Sequence, residues 1–381
     1  MSLNRHRFRA FRKGRWPVAL ACLICLAAAV SVYGLSRARA TGAPQLHVSG
    51  NELVNARGQR VVLHGVDRSG TEYECVEGHG IFDGPADQES VAAMQTWDIN
   101  AVRIPLNEAC WNGDSYVKPG YARSSYRKAI EAYVRLLNAR GMVAILDLHW
   151  SDGAYTGPSS GCSSAEAVCE KTMPDAESVG FWSSVAGAFK GNDSVIFDLF
   201  NEPFPDKALP SSAAAWECWL KGGSYCEPGI PYAVAGMQTL INAIRRTGAR
   251  NVVMAGGLGY SNDLSQWLAH EPADPDHDLA ASWHSYNFNS CSNISCWKSQ
   301  ISPVAARVPV IAGEIGENDC SDTYLRPLMA YLDSVSASYV AWAWNADFQC
   351  RSGPGLITGY SGAPSGYGAG YRSHLRQLAG S

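Results

Sequence analysis

Eight apolar runs rich in β-branched residues recur along the chain from residue 60 onward. Most are apolar almost without a break, which is typical of strands buried on both faces of a parallel sheet. The runs occupy residues 60–66, 100–106, 142–148, 194–200, 251–257, 279–286, 308–314 and 338–344. The pattern therefore predicts eight strands.

Segments with helical spacing of apolar residues lie between many of these runs. Two of them, residues 124–141 and 232–248, finish on a glycine, which is a common helix stop. Residues 89–99 and 179–191 have the same spacing. Eight strand–helix units in a chain of this length predict a single (β/α)8 barrel, an α/β fold. A doubly wound open sheet is the alternative, but no glycine-rich phosphate-binding turn follows the first strand.

The first 40 residues differ from the rest in composition. They contain eight Lys/Arg and no acidic residue, and the basic cluster precedes an apolar run at 18–35. This is the pattern of an export signal. The tripeptide 38–40, Ala-Arg-Ala, suits cleavage after Ala40, while an uncleaved membrane anchor is the alternative because the apolar run is long. Residues 1–40 are thus predicted to be a signal peptide and 41–381 one secreted domain, without linker or internal repeat.

Charge and cysteine content narrow the class of protein. Beyond residue 40 the chain has 23 Lys/Arg against 35 Asp/Glu, a net charge of −12. A nucleic-acid partner is not expected, because binding to a duplex requires a basic face. Ten cysteines remain in this exported part, which favours disulfides over the short C-x2-C pairs of a zinc site.

Every one of these ten cysteines lies in a segment that follows a strand, on the face where a barrel opens. Neighbouring loops can be joined there, and nearby cysteines can close small loops. The expected pairs are Cys75–Cys110, Cys162–Cys169, Cys218–Cys226, Cys291–Cys296 and Cys320–Cys350. Disulfide-tied loops on the C-terminal face of the barrel are the predicted result.

Polar residues occur within or at the ends of the predicted strands. In a (β/α)8 barrel the C-terminal strand ends meet around one mouth, so residues far apart in sequence converge on one pocket. The residues concerned are Arg103, His149, Asn201, Glu202, His284, Tyr286, Glu314 and Trp344. An unpaired buried charge is costly to keep, which favours a functional role for Arg103, because it lies within an apolar strand.

Two carboxylates at one barrel mouth indicate glycoside hydrolysis. In that reaction one carboxyl group protonates the leaving oxygen while the other acts on the anomeric carbon. Partial burial of Glu202 at the end of its strand is expected to raise its pKa toward the value that an acid needs. Asn201 is a candidate hydrogen-bond donor to a sugar hydroxyl, and Trp344 offers a flat apolar face to a sugar ring.

Six short motifs in order along the chain strengthen this interpretation: VRIPLN, DLHW, NEP, SWHSYN, GEIG and AWAWN. Together they resemble glycoside hydrolase family 5, whose members are retaining (β/α)8 enzymes typified by cellulases. The resemblance covers residues 45–375. It implies that Glu202 is the acid/base, Glu314 the nucleophile, and Arg103 the arginine that keeps the nucleophile ionised. It further implies that the sugar subsite is lined by His149, Asn201, His284, Tyr286 and Trp344.

The resemblance favours β-1,4-glucan as the substrate. No metal or cofactor is expected, and the protein is expected to be a monomer. Mannan, xyloglucan, β-1,3-glucan and aryl glycosides stay open, as does exo action, because the tied loops depart from a simple open cleft. A non-catalytic sugar-binding barrel is a further alternative. Four tryptophans in predicted mouth loops are candidates for stacking on sugar: Trp111, Trp150, Trp219 and Trp297. Trp182, in a helical pattern, is expected in the core.

Overall fold

The computed structural model describes residues 42–151, 171–348 and 353–380. Eight parallel strands, β3 to β10, form a closed barrel in sequence order, in which β10 pairs with β3. The strands are β1 Leu46–Ser49, β2 Glu52–Asn55, β3 His64–Asp67, β4 Ala101–Asn107, β5 Val143–Trp150, β6 Val195–Asp198, β7 Val253–Gly256, β8 Leu279–Tyr286, β9 Val310–Gly316, β10 Ser338–Ala341, β11 Ile357–Gly359 and β12 Ala363–Pro364. The predicted (β/α)8 barrel is confirmed.

Helices connect the strands on the outside of the barrel. The α-helices are α1 Glu74–Glu77, α2 Gln88–Gln95, α3 Glu108–Asn112, α4 Ser124–Ala139, α5 Ser178–Phe189, α6 Ser212–Lys221, α7 Met237–Arg246, α8 Ile294–Cys296, α9 Ser302–Ala305, α10 Leu325–Ser334 and α11 Gly366–Gly380. Residues Trp297–Ile301 form a π-helical link between α8 and α9. Short 3-10 turns occur at Pro119–Tyr121, Pro205–Lys207, Gly223–Cys226 and Trp267–His270, and a further turn at Leu258–Ser261.

Helix α4 shows how the sequence pattern produces the outer layer. Its buried residues recur with helical spacing on one face: Tyr126, Ile130, Tyr133, Val134 and Leu137. The helix ends just before Gly141, whose φ of 82° lies in the left-handed region that glycine tolerates. This face packs into the large hydrophobic core between the barrel and its helices.

A second, smaller hydrophobic cluster fills the lower interior of the barrel. Ala101, Ile145 and Ile196 contribute to it from three neighbouring strands. The antiparallel hairpin β1–β2 adds Leu46 and Leu53 to the same cluster. Because side chains alternate along a strand, the residues two positions further on also face the barrel axis, one layer nearer the C-terminal mouth.

Three of the five predicted disulfides are present: Cys75–Cys110, Cys218–Cys226 and Cys291–Cys296. Cys320 is also disulfide-bonded, but its predicted partner Cys350 lies outside the described residues, as do Cys162 and Cys169. The predicted leader at 1–40 lies outside them too. Among the helices of the described part, none has the length and apolar character needed to cross a bilayer.

Candidate active site

A cavity of about 940 Å³ opens at the C-terminal mouth of the barrel. Glu202, which follows β6, and Glu314, in β9, both line it. His149, Asn201 and Tyr286 line it from the ends of neighbouring strands. The strand ends therefore bring these five predicted residues into one pocket.

Arg103 lies beneath this pocket and is fully buried. Its Nη1 donates to Oδ1 of Asp67 at 3.0 Å and to Oε1 of Glu314 at 2.8 Å. Its Nε donates to Oδ2 of Asp198 at 3.0 Å, and its Nη2 lies 3.0 Å from Oδ2 of Asp147. One guanidinium thus contacts four carboxyl groups from four strands.

A single positive charge does not balance four buried negative charges. Burial, which outweighs the attraction of Arg103, raises the pKa of Asp198 to about 8 and that of Asp147 to about 7. Burial also raises the pKa of Asp67 well above its usual value. Although burial opposes the charge of Arg103, the carboxylates of Asp147 and Asp198 raise its pKa well above normal. The cluster therefore retains protons near neutral pH.

Glu314 is held by a donor on each carboxyl oxygen. Arg103 donates to Oε1, and the Tyr286 hydroxyl donates to Oε2 at 2.6 Å. Burial and the nearby Glu314 carboxylate raise the pKa of Tyr286 well above its usual value, so the hydroxyl keeps its proton. Glu314 is only 4% exposed, yet it lines the cavity. Its carboxylate is therefore fixed in direction and still reachable from the cavity.

Glu202 has a different environment. Its side chain is 20% exposed and its Oε1 lies 3.0 Å from Nδ1 of His284. Burial raises the pKa of Glu202 to about 8 and lowers that of His284 to about 3, so a neutral carboxyl group and a neutral imidazole meet at pH 7. The backbone of Glu202 is left-handed, with φ of 50°. A non-glycine residue in that region is strained, as is common at functional sites.

The two glutamates face each other closely. One carboxyl oxygen of Glu202, one ring nitrogen of His284 and one carboxyl oxygen of Glu314 all lie within 4.8 Å of one another. The first carboxyl group is protonated at neutral pH and the second is held by Arg103 and Tyr286. This pairing places a carboxyl group that holds a proton beside one that accepts a hydrogen bond on each oxygen.

His149 and Asn201 form the side of the pocket next to Arg103. Nδ1 of His149 lies 2.6 Å from Oδ2 of Asp147, which favours a proton on Nδ1 and leaves Nε2 as an acceptor. The Asn201 amide nitrogen lies 3.4 Å from that Nε2, while its Oδ1 accepts from Arg103 at 3.0 Å. The Asn201 amide is therefore oriented from both ends.

The structure brings together seven of the eight predicted site residues, but Trp344 lies elsewhere. Trp344 is fully buried, with its ring 5.0 Å from that of Trp97. Trp342 lines the cavity in its place and stacks on the His149 ring at 5.4 Å. The prediction placed the end of the eighth strand at residue 344, whereas β10 ends at Ala341, so Trp342 is the first residue at the mouth.

Three of the four tryptophans that were candidates for stacking on sugar are buried in the structure. Trp111, Trp219 and Trp297 are buried, and their ring N–H groups donate to Ser184, Gly256 and Cys291, respectively. Only the half-buried Trp150, of the four, keeps an exposed portion, and its ring lies 6.2 Å from that of His149. Trp182 is in the core as predicted.

Sequence reasoning missed Asp67, Asp147 and Asp198. Each is an acidic residue in or at the end of an apolar strand, and Asp147 and Asp198 come two positions after the inward-facing Ile145 and Ile196. Because successive side chains of a strand point to opposite faces, this spacing places both carboxyl groups on the inward face. Trp342 likewise comes two positions after Val340, which the structure shows to face inward.

Comparison with known proteins defines the class. The family model for cellulase (glycosyl hydrolase family 5) matches residues 54–348. The chain belongs to glycosyl hydrolase family 5 and is a glycoside hydrolase.

Two curated relatives cover most of the chain. A mannan endo-1,4-beta-mannosidase of Cellvibrio japonicus is 20% identical over 88% of this chain and 67% of its own length. Endoglucanase N of Pectobacterium atrosepticum is 20% identical over 83% of this chain and 60% of its own length, so this chain spans about three fifths of that relative.

Among solved structures, beta-glucanase SdGluc5_26A from Saccharophagus degradans, in complex with cellotetraose, has a TM-score of 0.66. It is 19% identical and covers 88% of this chain and 94% of its own. This likeness shows the shared fold.

The protons held around Arg103 make stability depend on pH. The pKa of Asp198, about 8 in the folded protein, exceeds its value of about 4 in an unfolded chain. The contribution of Asp198 to the free energy of unfolding is therefore fully present below about pH 4 and is lost as pH rises through about 8. Asp198→Asn should reduce the loss of unfolding free energy between pH 5 and 8.5, on the order of 1 kcal/mol per pH unit.

Urea unfolding at the two pH values measures this difference. Asp98→Asn, at an exposed carboxylate, is the matched control and should behave like the wild type. An Asp198→Asn variant with the wild-type pH dependence would show that this carboxyl group carries no extra proton in the folded state.

Proposed function

We propose that the protein is a secreted, retaining β-glycanase that hydrolyses β-1,4-linked glucan by double displacement. The observation that carries the proposal is the close approach of Glu202 and Glu314, with a carboxyl oxygen of each within 4.8 Å of the other. A short separation between the two carboxyl groups suits direct attack by one of them, whereas an inverting pair leaves room for water.

In the first step, the Glu314 carboxylate attacks the anomeric carbon and forms a covalent ester with the sugar. Arg103 and Tyr286 orient the attacking group through one hydrogen bond to each oxygen. Glu202, protonated at neutral pH because burial raises its pKa, donates its proton to the departing oxygen. The products are the glycosyl ester and a free sugar hydroxyl.

In the second step, Glu202 acts as the base. It removes a proton from a water molecule, whose oxygen attacks the anomeric carbon, and Glu314 leaves as a carboxylate. His284 stays close to both glutamates, 3.0 Å from Glu202 and 3.7 Å from Glu314. Asn201, oriented by His149 and Arg103, is placed to bond a sugar hydroxyl.

A β-1,4-glucan is the first candidate substrate, because an endoglucanase is among the relatives and a neighbour of the same fold was solved with cellotetraose. Mannan is the second candidate, since another relative is a mannan endo-1,4-beta-mannosidase. Trp342 offers its ring to a sugar in either case. The basic-apolar leader and the disulfides, which form in oxidising compartments, support the proposed export.

A substrate panel tests the proposed specificity. Purified protein should release reducing ends faster from soluble β-1,4-glucan than from mannan, xyloglucan or β-1,3-glucan. Glu314→Ala is the matched control for contaminating activity. Faster release from mannan would make mannan the proposed substrate. No release from any β-glycan or aryl β-glycoside would overturn the proposed function.

Separate variants test the roles of the two glutamates. Glu202→Ala should lose most activity on glycan but much less on an aryl glycoside whose leaving group needs no proton, and azide should restore turnover as the β-glycosyl azide. Glu314→Ala should be nearly inactive on both substrates, because nothing replaces the nucleophile. Proton NMR of the wild-type reaction should show retained configuration; an inverted first product would contradict the assignment of Glu314.

The pKa of Glu202 sets the alkaline limb of activity. The acid must be protonated, so kcat/KM on glycan should hold through neutral pH and fall about tenfold per pH unit above about 8. Glu202→Ala, assayed with azide on an activated aryl glycoside, should lack this limb. A limb that persists in the variant would assign it to another group.

A further inference from the structure

Helix α11 has a positively charged face on the outside of the barrel. Arg372 and Arg376 lie one helical turn apart, as do Ser373 and Gln377, so the four side chains share one face. The helix sequence, Gly366–Gly380, contains no acidic residue. This face therefore presents two guanidinium groups, a hydroxyl and an amide, and no carboxylate.

These four side chains line a cavity of about 380 Å³. Pro364, at the end of the hairpin β11–β12, and Ala369 also line it. This cavity and the one at the barrel mouth share no lining residue among those that the structure describes. Its volume lies in the range of binding sites for small organic molecules. A bare inorganic ion would leave most of it unfilled.

Arg372 is held in place by an aromatic ring. Its guanidinium carbon lies over the Trp97 ring, 5.6 Å from the ring centre, which is a cation–π contact. The Trp97 ring is itself fixed, because its N–H donates to the Gly362 carbonyl at 3.1 Å. The described part of the chain offers no acceptor to the nitrogens of Arg372, the buried Nε included. The guanidinium is therefore positioned by the fold while its N–H groups are left for a ligand or water.

Neither arginine of this face forms a salt bridge with a described residue. Arg376 reaches only the Thr96 carbonyl, at 3.4 Å. Asp333, the carboxylate that contacts the helix, pairs with His374 instead. Like charges four positions apart on a helix repel each other, and an anion bound between them would remove this repulsion.

We infer that this cavity is a binding site for an acidic sugar unit of a glycan, with the sugar carboxylate held by Arg372 and Arg376. A guanidinium group matches a carboxylate with two parallel N–H donors. Ser373 and Gln377 are placed to bond the sugar hydroxyls, which the size of the cavity accommodates beside the carboxylate.

The charge of the whole chain favours a carboxylate over a phosphate. Beyond residue 40 the chain has 23 Lys/Arg against 35 Asp/Glu. A protein with this excess of negative charge repels a dianion more strongly than a monoanion. The inference goes beyond the proposed function, since the proposed hydrolysis uses no residue of this cavity. The site would hold the enzyme on acidic glycans that accompany its neutral substrate.

Isothermal titration calorimetry with trigalacturonate measures this binding directly. The wild-type Kd should rise with salt concentration, because the charges that meet are partly exposed to solvent. The fully methyl-esterified trisaccharide, which has the same sugars without the charge, should bind at least about tenfold more weakly. Arg372→Gln and Arg376→Gln should each raise the Kd for trigalacturonate about tenfold, the scale of one lost charge-assisted hydrogen-bonded contact.

The matched control is Arg246→Gln, which makes the same charge change at an exposed arginine in the last turn of helix α7, outside the cavity. This variant should keep the wild-type Kd. Circular dichroism verifies that each variant is folded. Because Arg376 is exposed, its replacement leaves the packing of the core intact even if loss of the Arg372 contact with Trp97 lowers stability.

Two results would overturn the inference: the wild-type Kd in both Arg372→Gln and Arg376→Gln, or equal binding of trigalacturonate and its methyl ester. Binding of inorganic phosphate without binding of trigalacturonate would overturn the assignment to a glycan. A wild-type protein that binds trigalacturonate but cleaves no β-glycan would overturn the proposed function alone, so the two failures are distinguishable.

Discussion

The contact of one buried guanidinium with four carboxyl groups is the constraint on which the site depends. Arg103 joins Asp67, Asp147, Asp198 and Glu314, which lie on four other strands of the barrel. Removal of one partner from a buried ion pair costs about 3–5 kcal/mol, because the other charge stays buried and unpaired. The network therefore links closure of the upper barrel to the position of the candidate nucleophile.

Two glutamates a few ångströms apart have different environments, because only Glu314 contacts Arg103. Glu314 receives donors on both oxygens, whereas Glu202 faces a neutral imidazole, and its burial raises its pKa to about 8. This difference in environment supports the proposed roles of Glu202 as acid and Glu314 as nucleophile. The cavity continues from Glu202 along the loops that follow β6, β7 and β8, where Tyr260 and Phe288 line its wall together with Asp206 and Asp263.

The barrel fold and most of the candidate site residues could be predicted from the sequence, because both depend on local patterns. Apolar runs of strand length, separated by helical spacing, predicted the barrel, and the strand ends predicted seven residues that the structure brings together at the site. Asp67, Asp147 and Asp198 were missed because an acidic residue in an apolar strand can be assigned to a site only once its charged partner is known. Because side chains alternate along a strand, Asp147 and Asp198 face inward like Ile145 and Ile196. No local pattern showed that the Arg103 side chain lies within hydrogen-bond distance of them.

The sequence by itself determined the order of strands and helices, since periodicity and helix-stopping glycines act within a few residues of one another. Tertiary structure decided where each strand stops at the mouth and which ring faces the cavity. Trp342 and Trp344 have the same residue type and nearly the same neighbours, yet one lines the cavity and the other packs on Trp97. That choice follows from the end of β10 at Ala341 and from packing across the barrel, which no short stretch of sequence contains.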